Sequence, residues 1–281
     1  MKIQSKKSIN NFNEYNQWLK NKNLAPETIK KYLHTLSQYG KREINTNSIA
    51  DFLRENLKKH QPNTLRGQKN ILASYARFQK IYATMEWENI NKIIPKIQKR
   101  FFSTVDYEEL EKLKQNNTKT DQITNERNSL IIEFLFYTGL RVNELINVQH
   151  CDYQEGLLRI HGKGNKVRYV LLPEFLTKYF NSYSENYLFL TRNGKKLTRG
   201  QIRKNIKRKC RQVGISKNIS PHTFRRSLAT NLYNSGGKLE TIQKQLGHSN
   251  LNTTMSYIHN DFKTLYNDYS KLWEKNNIEM I

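Results

Sequence analysis

The apolar residues of this chain recur at helical spacing almost from end to end, and one stretch breaks that period. In NNFNEYNQWLK, Phe12, Tyr15, Trp18 and Leu19 fall on one side of a helix. APETIKKYLHTLSQYG opens with Pro26, suited to a first helical turn. It spaces Ile29, Tyr32, Leu33, Leu36 and Tyr39 helically and stops at Gly40. NSIADFLRENL repeats the pattern with Ile49, Phe52, Leu53 and Leu57, and TLRGQKNILASYARFQKIY does so with Ile71, Tyr75, Phe78 and Tyr82. Four amphipathic helices with short polar connections predict a small bundle over residues 1–90, its exposed faces carrying Lys30, Lys31, Lys58, Lys59, Arg66 and Lys69. The exception is LLRIHGKGNKVRYVLLP, two short β runs around Gly162, Lys163, Gly164 and Asn165, which is a hairpin signature. Helical patterns flank it, including TVDYEELEKL and NERNSLIIEFLFYTG, the second stopped by Gly139. The expected fold class is mainly α with a small β-hairpin or sheet, an α+β arrangement. It comprises an N-terminal bundle, a basic linker over 91–102 (NKIIPKIQKRFF, no acid) and a mixed domain over 103–281.

A length of 281 residues suits two domains. Forty-eight Lys and Arg against 24 Asp and Glu give a net charge of +24, split as +11 over residues 1–98 and +13 over 99–281. Both halves are therefore expected to face one polyanion: DNA, RNA or an anionic membrane surface. Mean hydropathy is −0.83. Yet 12 Phe, 16 Tyr and 3 Trp exclude a mostly disordered chain. No apolar run approaches the roughly 18 residues that cross a bilayer, so no membrane insertion is expected. MKIQSKKSINNFNEY lacks the apolar core of a signal peptide. Cys151 and Cys210 are too few for a disulfide framework or a zinc cluster, so a reducing, cytoplasmic setting is expected. Residues 192–211, RNGKKLTRGQIRKNIKRKCR, hold ten Lys or Arg and no acid. A solvated helix normally mixes signs, so this stretch is expected to contact phosphates, positioning a nucleic acid rather than reading it.

The chemistry-bearing motifs each have two readings. In SPHTFRRSLATNLYNSGG, Ser220 suits an N-cap and Pro221 a first helical residue, and Gly236 marks the stop. His222 and Arg225 share a face in the first turns, as a phosphate clamp or as part of a solvated basic helix. In QLGHSNLNTTMSYIH, Gly247 closes one helix, Ser249 suits the cap of the next, His248 sits in the turn and Tyr257 follows nine residues on. A turn histidine and a packing tyrosine fit that spacing equally. In TGLRVNELINV, Arg141 and Glu144 read as a surface pair worth under about 1 kcal/mol, or as an arginine presented to phosphate and oriented by its carboxylate. Lys163 at the hairpin tip is either solubilising or a mobile side chain delivered into a site.

The order Arg141, Lys163, His222 with Arg225, His248, Tyr257 resembles that of the tyrosine recombinase family, in a Xer-like or phage-integrase-like member. The matching strings are TGLRVNEL, HGKGNKVRYVLLP, SPHTFRRSLAT and LGHSNLNTTMSYIH, and the N-terminal bundle is similar to the family's core-binding domain. The resemblance implies a site-specific DNA recombinase whose two domains clamp a double-stranded recombination site. Metal and ATP are not needed, and no cofactor is expected. Tyr257 would attack the scissile phosphate to form a 3′-phosphotyrosyl link, with His222 as base or proton relay. Arg141 and Arg225 would bind the non-bridging oxygens, and His248 would add a hydrogen bond. Lys163 would protonate the departing 5′ oxygen, and Glu144 would orient Arg141. The alternatives are a type IB topoisomerase-like enzyme and a non-catalytic architectural DNA binder. After Arg225, relatives often carry His and an aromatic, whereas this chain has Arg226, Ser227 and Leu228, with Arg226 expected to be peripheral. In the tail, Phe262, Leu265, Tyr266, Tyr269, Leu272 and Trp273 are helically spaced. The resemblance implies that this segment docks into a neighbouring protomer and favours a homotetramer on two DNA sites, with accessory proteins as further partners.

Overall fold

A computed structural model describes residues 2–96, 101–115, 121–162, 167–180, 186–248 and 250–258, with side chains left out at 2–11 and 251. Lys163, Ser249, the middle of the expected linker and the helically spaced tail lie outside the described residues. The chain divides into two compact units, Met1–Gln98 and Lys99–Ile281.

The first unit contains α1 (Lys2–Asn21), α2 (Pro26–Tyr39), α3 (Thr46–Asn56), α4 (Pro62–Phe78) and α5 (Trp87–Ile93). Pro26 and Pro62 each open a helix where a missing N–H costs nothing, and the Asn45 side chain caps α3 by accepting from the Ser48 amide at 2.8 Å. Leu19, Leu36, Leu53, Leu65, Leu72 and Ile90 meet in the core. Beside them, Tyr15 packs against the rings of Trp18, Tyr75 and Phe78, and its hydroxyl donates to Ser74 Oγ at 3.0 Å. Two details differ from the sequence reading. Tyr82 leaves the fourth helix, because Lys80 (φ 61°) turns the chain into a short 3-10 turn where Tyr82 stacks on Trp87. Helix α5 then runs into the segment expected to be linker, and Ile94 packs in the core.

The second unit contains α6 (Tyr107–Lys114), α7 (Gln122–Thr138) and the single turn α8 (Val142–Leu145). Strands β1 (Tyr153–Gln154), β2 (Leu157–His161) and β3 (Val167–Leu171) follow. The remaining helices are α9 (Glu174–Thr177), α10 (Arg199–Gln212), α11 (Pro221–Asn234), α12 (Leu239–Leu246) and α13 (Leu251–Ile258). The expected hairpin is part of a three-stranded antiparallel meander in the order β1-β2-β3, with Leu158 opposite Val170 and His161 opposite Val167. Strand β1 has two residues, too short for alternation to show in sequence. Leu158, Ile160 and Val170 point inward to a core shared with Phe134 and Leu135 of α7, Ile202 and Ile206 of α10 and Phe224 of α11. Val167, Tyr169 and Leu171 face solvent.

Helix α7 ends at Gly139 (φ 62°), where a Cβ would come within 2.8 Å of the side chains of Leu228 and Leu246. A side chain there would push α11 and α12 away from the end of α7. In α10, Ile202, Ile206 and Cys210 fall on one buried face. Lys209 is drawn in with them, 1% exposed, its Nζ donating to the Gln115 carbonyl at 2.5 Å. It is therefore withdrawn from the expected phosphate-contacting set, whereas Arg199, Arg203, Lys204, Lys207 and Arg211 remain exposed. Cys151 and Cys210 are both free thiols.

Candidate active site

The turn after α7 presents the first site residue. Leu140 is fully buried, so the extended backbone that follows places Arg141 at the N-cap of α8 with its side chain half exposed. Glu144 sits three residues on and its side chain is only 5% exposed, so Arg141 and Glu144 are not the surface pair that spacing alone allowed. Glu144 accepts from the Arg141 amide at 2.8 Å and from Arg141 Nη1 at 2.9 Å.

The same carboxylate is gripped from β3. Arg168 Nη1 donates to Glu144 Oε1 at 2.7 Å and Nη2 to Oε2 at 3.0 Å, a two-bonded fork. Burial would raise the Glu144 carboxyl. The bonds and charge of Arg168, then those of Arg141, overcome this and hold it below the usual carboxylate range. Gly247 stands beside this fork in the left-handed conformation (φ 63°), and a Cβ there would lie 2.4 Å from Arg168 Cδ. The Gly247 carbonyl accepts a long bond, 3.4 Å, from Arg141 Nη2.

Helix α11 supplies the next group. The Ser220 side chain caps it by accepting from the Thr223 amide, and Pro221 follows at the first helical position. Arg225 is 1% exposed. Its Nη1 donates to the Gly139 carbonyl at 2.8 Å and its Nη2 to the Leu246 carbonyl, so the guanidinium closes the end of α7 against the end of α12. Burial, then the charge of Arg141, lowers the Arg225 guanidinium to about 10, which leaves it charged at neutral pH. His222 keeps an exposed surface at the start of the helix. Its imidazole is nevertheless held down to about 4, first by burial of the ring and then by the charges of Arg226, Arg225 and Arg141.

Tyr257 reaches His222 from α13. Its hydroxyl lies 3.0 Å from His222 Nε2, and the two rings meet edge-on with centroids 5.4 Å apart. His248 also meets Tyr257, its ring centroid 5.1 Å from that of the tyrosine. His248 Nδ1 lies 2.8 Å from Thr254 Oγ1, and burial followed by the charges of Arg225 and Arg141 lowers its imidazole to about 3. Both histidines are thus neutral at pH 7.

Five expected residues, Arg141, His222, Arg225, His248 and Tyr257, are brought together with Glu144 beneath them. A cleft of about 210 Å³ opens on Arg141, His222 and Arg225, with Arg203 of α10 on its wall. Arg168 is not singled out by the sequence, and Arg203 is expected only as one cation of the phosphate-contacting run 192–211. Arg168 shares the inward side of β3 with Val170, which the sequence alternation alone does not reveal. Arg226 is not peripheral: its guanidinium lies 3.8 Å over the Phe102 ring and 5.8 Å from the centre of the Tyr257 ring.

The family model for the phage integrase family matches residues 103–264, the stretch that holds Arg141, Glu144, Arg168, His222, Arg225, His248 and Tyr257. The chain belongs to the phage integrase family. Among curated relatives of this integrase-family chain is the tyrosine recombinase XerD of Halalkalibacterium halodurans, 30% identical over 260 residues, covering 85% of this chain and 78% of the relative. XerD of Staphylococcus saprophyticus is 36% identical over 165 residues, 53% of this chain and 56% of the relative. XerC of Lacticaseibacillus casei is 32% identical over 194 residues, 63% and 64%. The last two matches span less than two thirds of the length of those relatives. Among solved structures, XerH site-specific recombinase bound to a palindromic difH substrate, in a post-cleavage complex, superposes with a TM-score of 0.70 at 25% identity, covering 90% of this chain and 81% of that one. A lambda integrase dimer bound to a COC′ core site has the same fold, with a TM-score of 0.69 at 17% identity, covering 89% of this chain and 76% of that one.

Proposed function

We propose that this chain is a site-specific DNA recombinase that cleaves and rejoins strands through a covalent 3′-phosphotyrosyl intermediate on Tyr257. The observation that carries this reading is the Tyr257 hydroxyl, held 3.0 Å from His222 Nε2 beside Arg225 and Arg141. Family membership and recombinase relatives support strand exchange over simple relaxation as the outcome.

A diester phosphate enters the cleft with its non-bridging oxygens toward the two arginines. Arg225 spends one N–H on each of two carbonyls, which fixes its plane and leaves three donors. Arg141 is fixed in the same way by Glu144 and the Gly247 carbonyl. When Thr254 donates to His248 Nδ1, the neutral ring carries its proton on Nε2 and offers the phosphate another donor. Tyr257 Oη then forms a bond to phosphorus as the bond to the 5′ oxygen breaks. A neutral His222 accepts the phenol proton. Because its basicity is low, it passes that proton on rather than storing it, and the arriving phosphate charge raises its basicity by opposing the arginines. Lys163, outside the described residues, protonates the departing 5′ oxygen. Attack by a 5′-hydroxyl from another strand reverses the step without ATP.

The proposed setting is the cytoplasm, with a double-stranded recombination site as partner. The homotetramer on two sites, assembled through residues 262–281, and accessory proteins belong to the same proposal. The test is incubation with nicked duplexes of randomised sequence, in which a short fragment released on cleavage diffuses away and traps the intermediate. Wild type gives a detergent-resistant protein–DNA band and Tyr257→Phe gives none. Absence of the band from wild type overturns the reading. The trapped sequence, supplied on two duplexes, then separates strand exchange from relaxation.

A further inference from the structure

Arg226 follows Arg225 on α11, and its guanidinium is held by rings rather than by an anion. It lies 3.8 Å over Phe102 and 5.8 Å from the centre of the Tyr257 ring. No carboxylate pairs with it among the described residues, and its Nε is buried without a hydrogen-bond partner. Phe102 is fixed in turn by the backbone beside it. The Val105 amide donates to Ser227 Oγ at 2.7 Å, and Lys217 Nζ donates to the Thr104 carbonyl while pairing with Glu109 at 2.5 Å. Residues 102–105 are thus laid along α11 with the Phe102 ring over the arginine.

A carboxylate partner would hold Arg226 and cancel its charge. A phenyl face attracts a cation through the ring quadrupole and leaves the charge intact. The field of Arg226 therefore survives at the neighbouring phenol. We propose that Arg226 is a positioning residue whose uncancelled charge, steadied by Phe102 against the Tyr257 ring, acts on the His222–Tyr257 pair by stabilising the negative charge that develops on Tyr257 Oη as it attacks phosphorus and as it departs. The same charge is, after burial, the largest cause that keeps the His222 imidazole neutral, so its field reaches the His222–Tyr257 pair.

This inference rests on the recombinase reading. In the forward step Oη gains its bond to phosphorus, the 5′ oxygen leaves, and the phenol proton departs through His222. In the reverse step the phenolate is expelled. Arg226 gives and takes no proton in either direction, and stabilises the negative charge on Oη in both.

The experiment is the pH profile of adduct formation on duplexes recovered from the randomised pool, under single-turnover conditions. The titratable and charged groups around Tyr257 are neutral His222 and the charged Arg225 and Arg226 from α11 and neutral His248 from the turn before α13, with Arg141, from the turn after α7, acting on both histidines. Arg226→Met removes the largest of the charges that lower the His222 imidazole, so the rising limb set by that base moves to higher pH, with adduct formation near pH 7 slowed about tenfold. Arg226→Lys restores most of the rate. Phe102→Leu moves the limb in the same direction by less. A purely structural role would lower the active fraction without moving the limb, so an unmoved limb in Arg226→Met overturns the proposal. If that variant does not fold, Phe102→Leu decides, and an unmoved limb there overturns it. Absence of adduct from wild type at every pH removes the recombinase reading and this one together, whereas a normal wild-type profile with an unmoved variant removes only this one.

Discussion

Arg168 on β3 and Glu144 on α8 form a two-bonded ion pair at 2.7 and 3.0 Å, and through it the hairpin holds the carboxylate that orients Arg141. Glu144 thus serves two guanidinium groups from opposite sides. The sheet is tied by this pair to the place where a phosphate is expected to sit, so strand position and anion binding depend on each other.

Removing one side of that pair leaves a buried carboxylate with half its partners. Arg168→Met is expected to cost about 2–3 kcal/mol and to raise the Glu144 carboxyl, and Arg168→Lys recovers only part because an ammonium cannot make the fork. Urea denaturation of the three proteins checks this. Equal midpoints would show that Arg141 alone satisfies Glu144.

Gly247→Ala is expected to be more damaging than Gly156→Ala. Both positions have a left-handed backbone, at φ 63° and 81°, which costs an alanine roughly 1 kcal/mol in either place. At 156 the new methyl meets nothing within 4 Å, whereas at 247 it meets Arg168 Cδ at 2.4 Å. The excess loss of melting temperature in Gly247→Ala reads that collision, and it disappears if Arg168 is first shortened to Ala.

Arg225→Leu orphans the buried carbonyls of Gly139 and Leu246, at an expected cost of about 2–4 kcal/mol. Arg225→Lys keeps the charge but can reach the two carbonyls only as a point donor, so it falls between wild type and Leu in thermal stability. In adduct formation it falls much closer to Leu. Similar adduct rates for Lys and Arg would mean that charge suffices and the planar fork does not matter.

Stability is expected to fall as pH drops from about 6.5 toward 4. In the unfolded chain His222 and His248 take up protons near 6.5. In the folded chain they resist until about 4 and about 3. Between those values the unfolded state binds more protons, so stability rises with pH across the window and the contribution is complete above it. Urea midpoints measured from pH 7 to pH 4 check the slope, and His248→Gln flattens it. A slope unchanged in that variant would place the titration elsewhere.

Helix termini were the most legible part of the sequence, because Ser220, Pro221, Gly139 and Gly247 act through local geometry and each stands where its type suggests. The grouping of Arg141, His222, Arg225, His248 and Tyr257 came from their order along the chain rather than from any one spacing. Arg168 escaped notice because VRYVLL is almost continuously apolar. Its alternation does not say which side is inward, and the structure turns Val167, Tyr169 and Leu171 out and Arg168 in. Lys209 was misread for the opposite reason, since in a run of ten cations nothing local marks the one that lies on the buried face. Arg226 required knowing that residues 102–105 run back along α11, a pairing more than 120 positions apart that no window of sequence contains.

That last pairing makes the beginning of the second unit a mechanical element. Phe102, Thr104 and Val105 are pinned to Arg226, Lys217 and Ser227 in turn, on or next to the helix that carries His222 and Arg225. Tension applied along the polypeptide arriving from the first unit is therefore delivered to those three anchor points before it reaches the rest of the second unit. A load borne there is felt first by the helix that faces Tyr257.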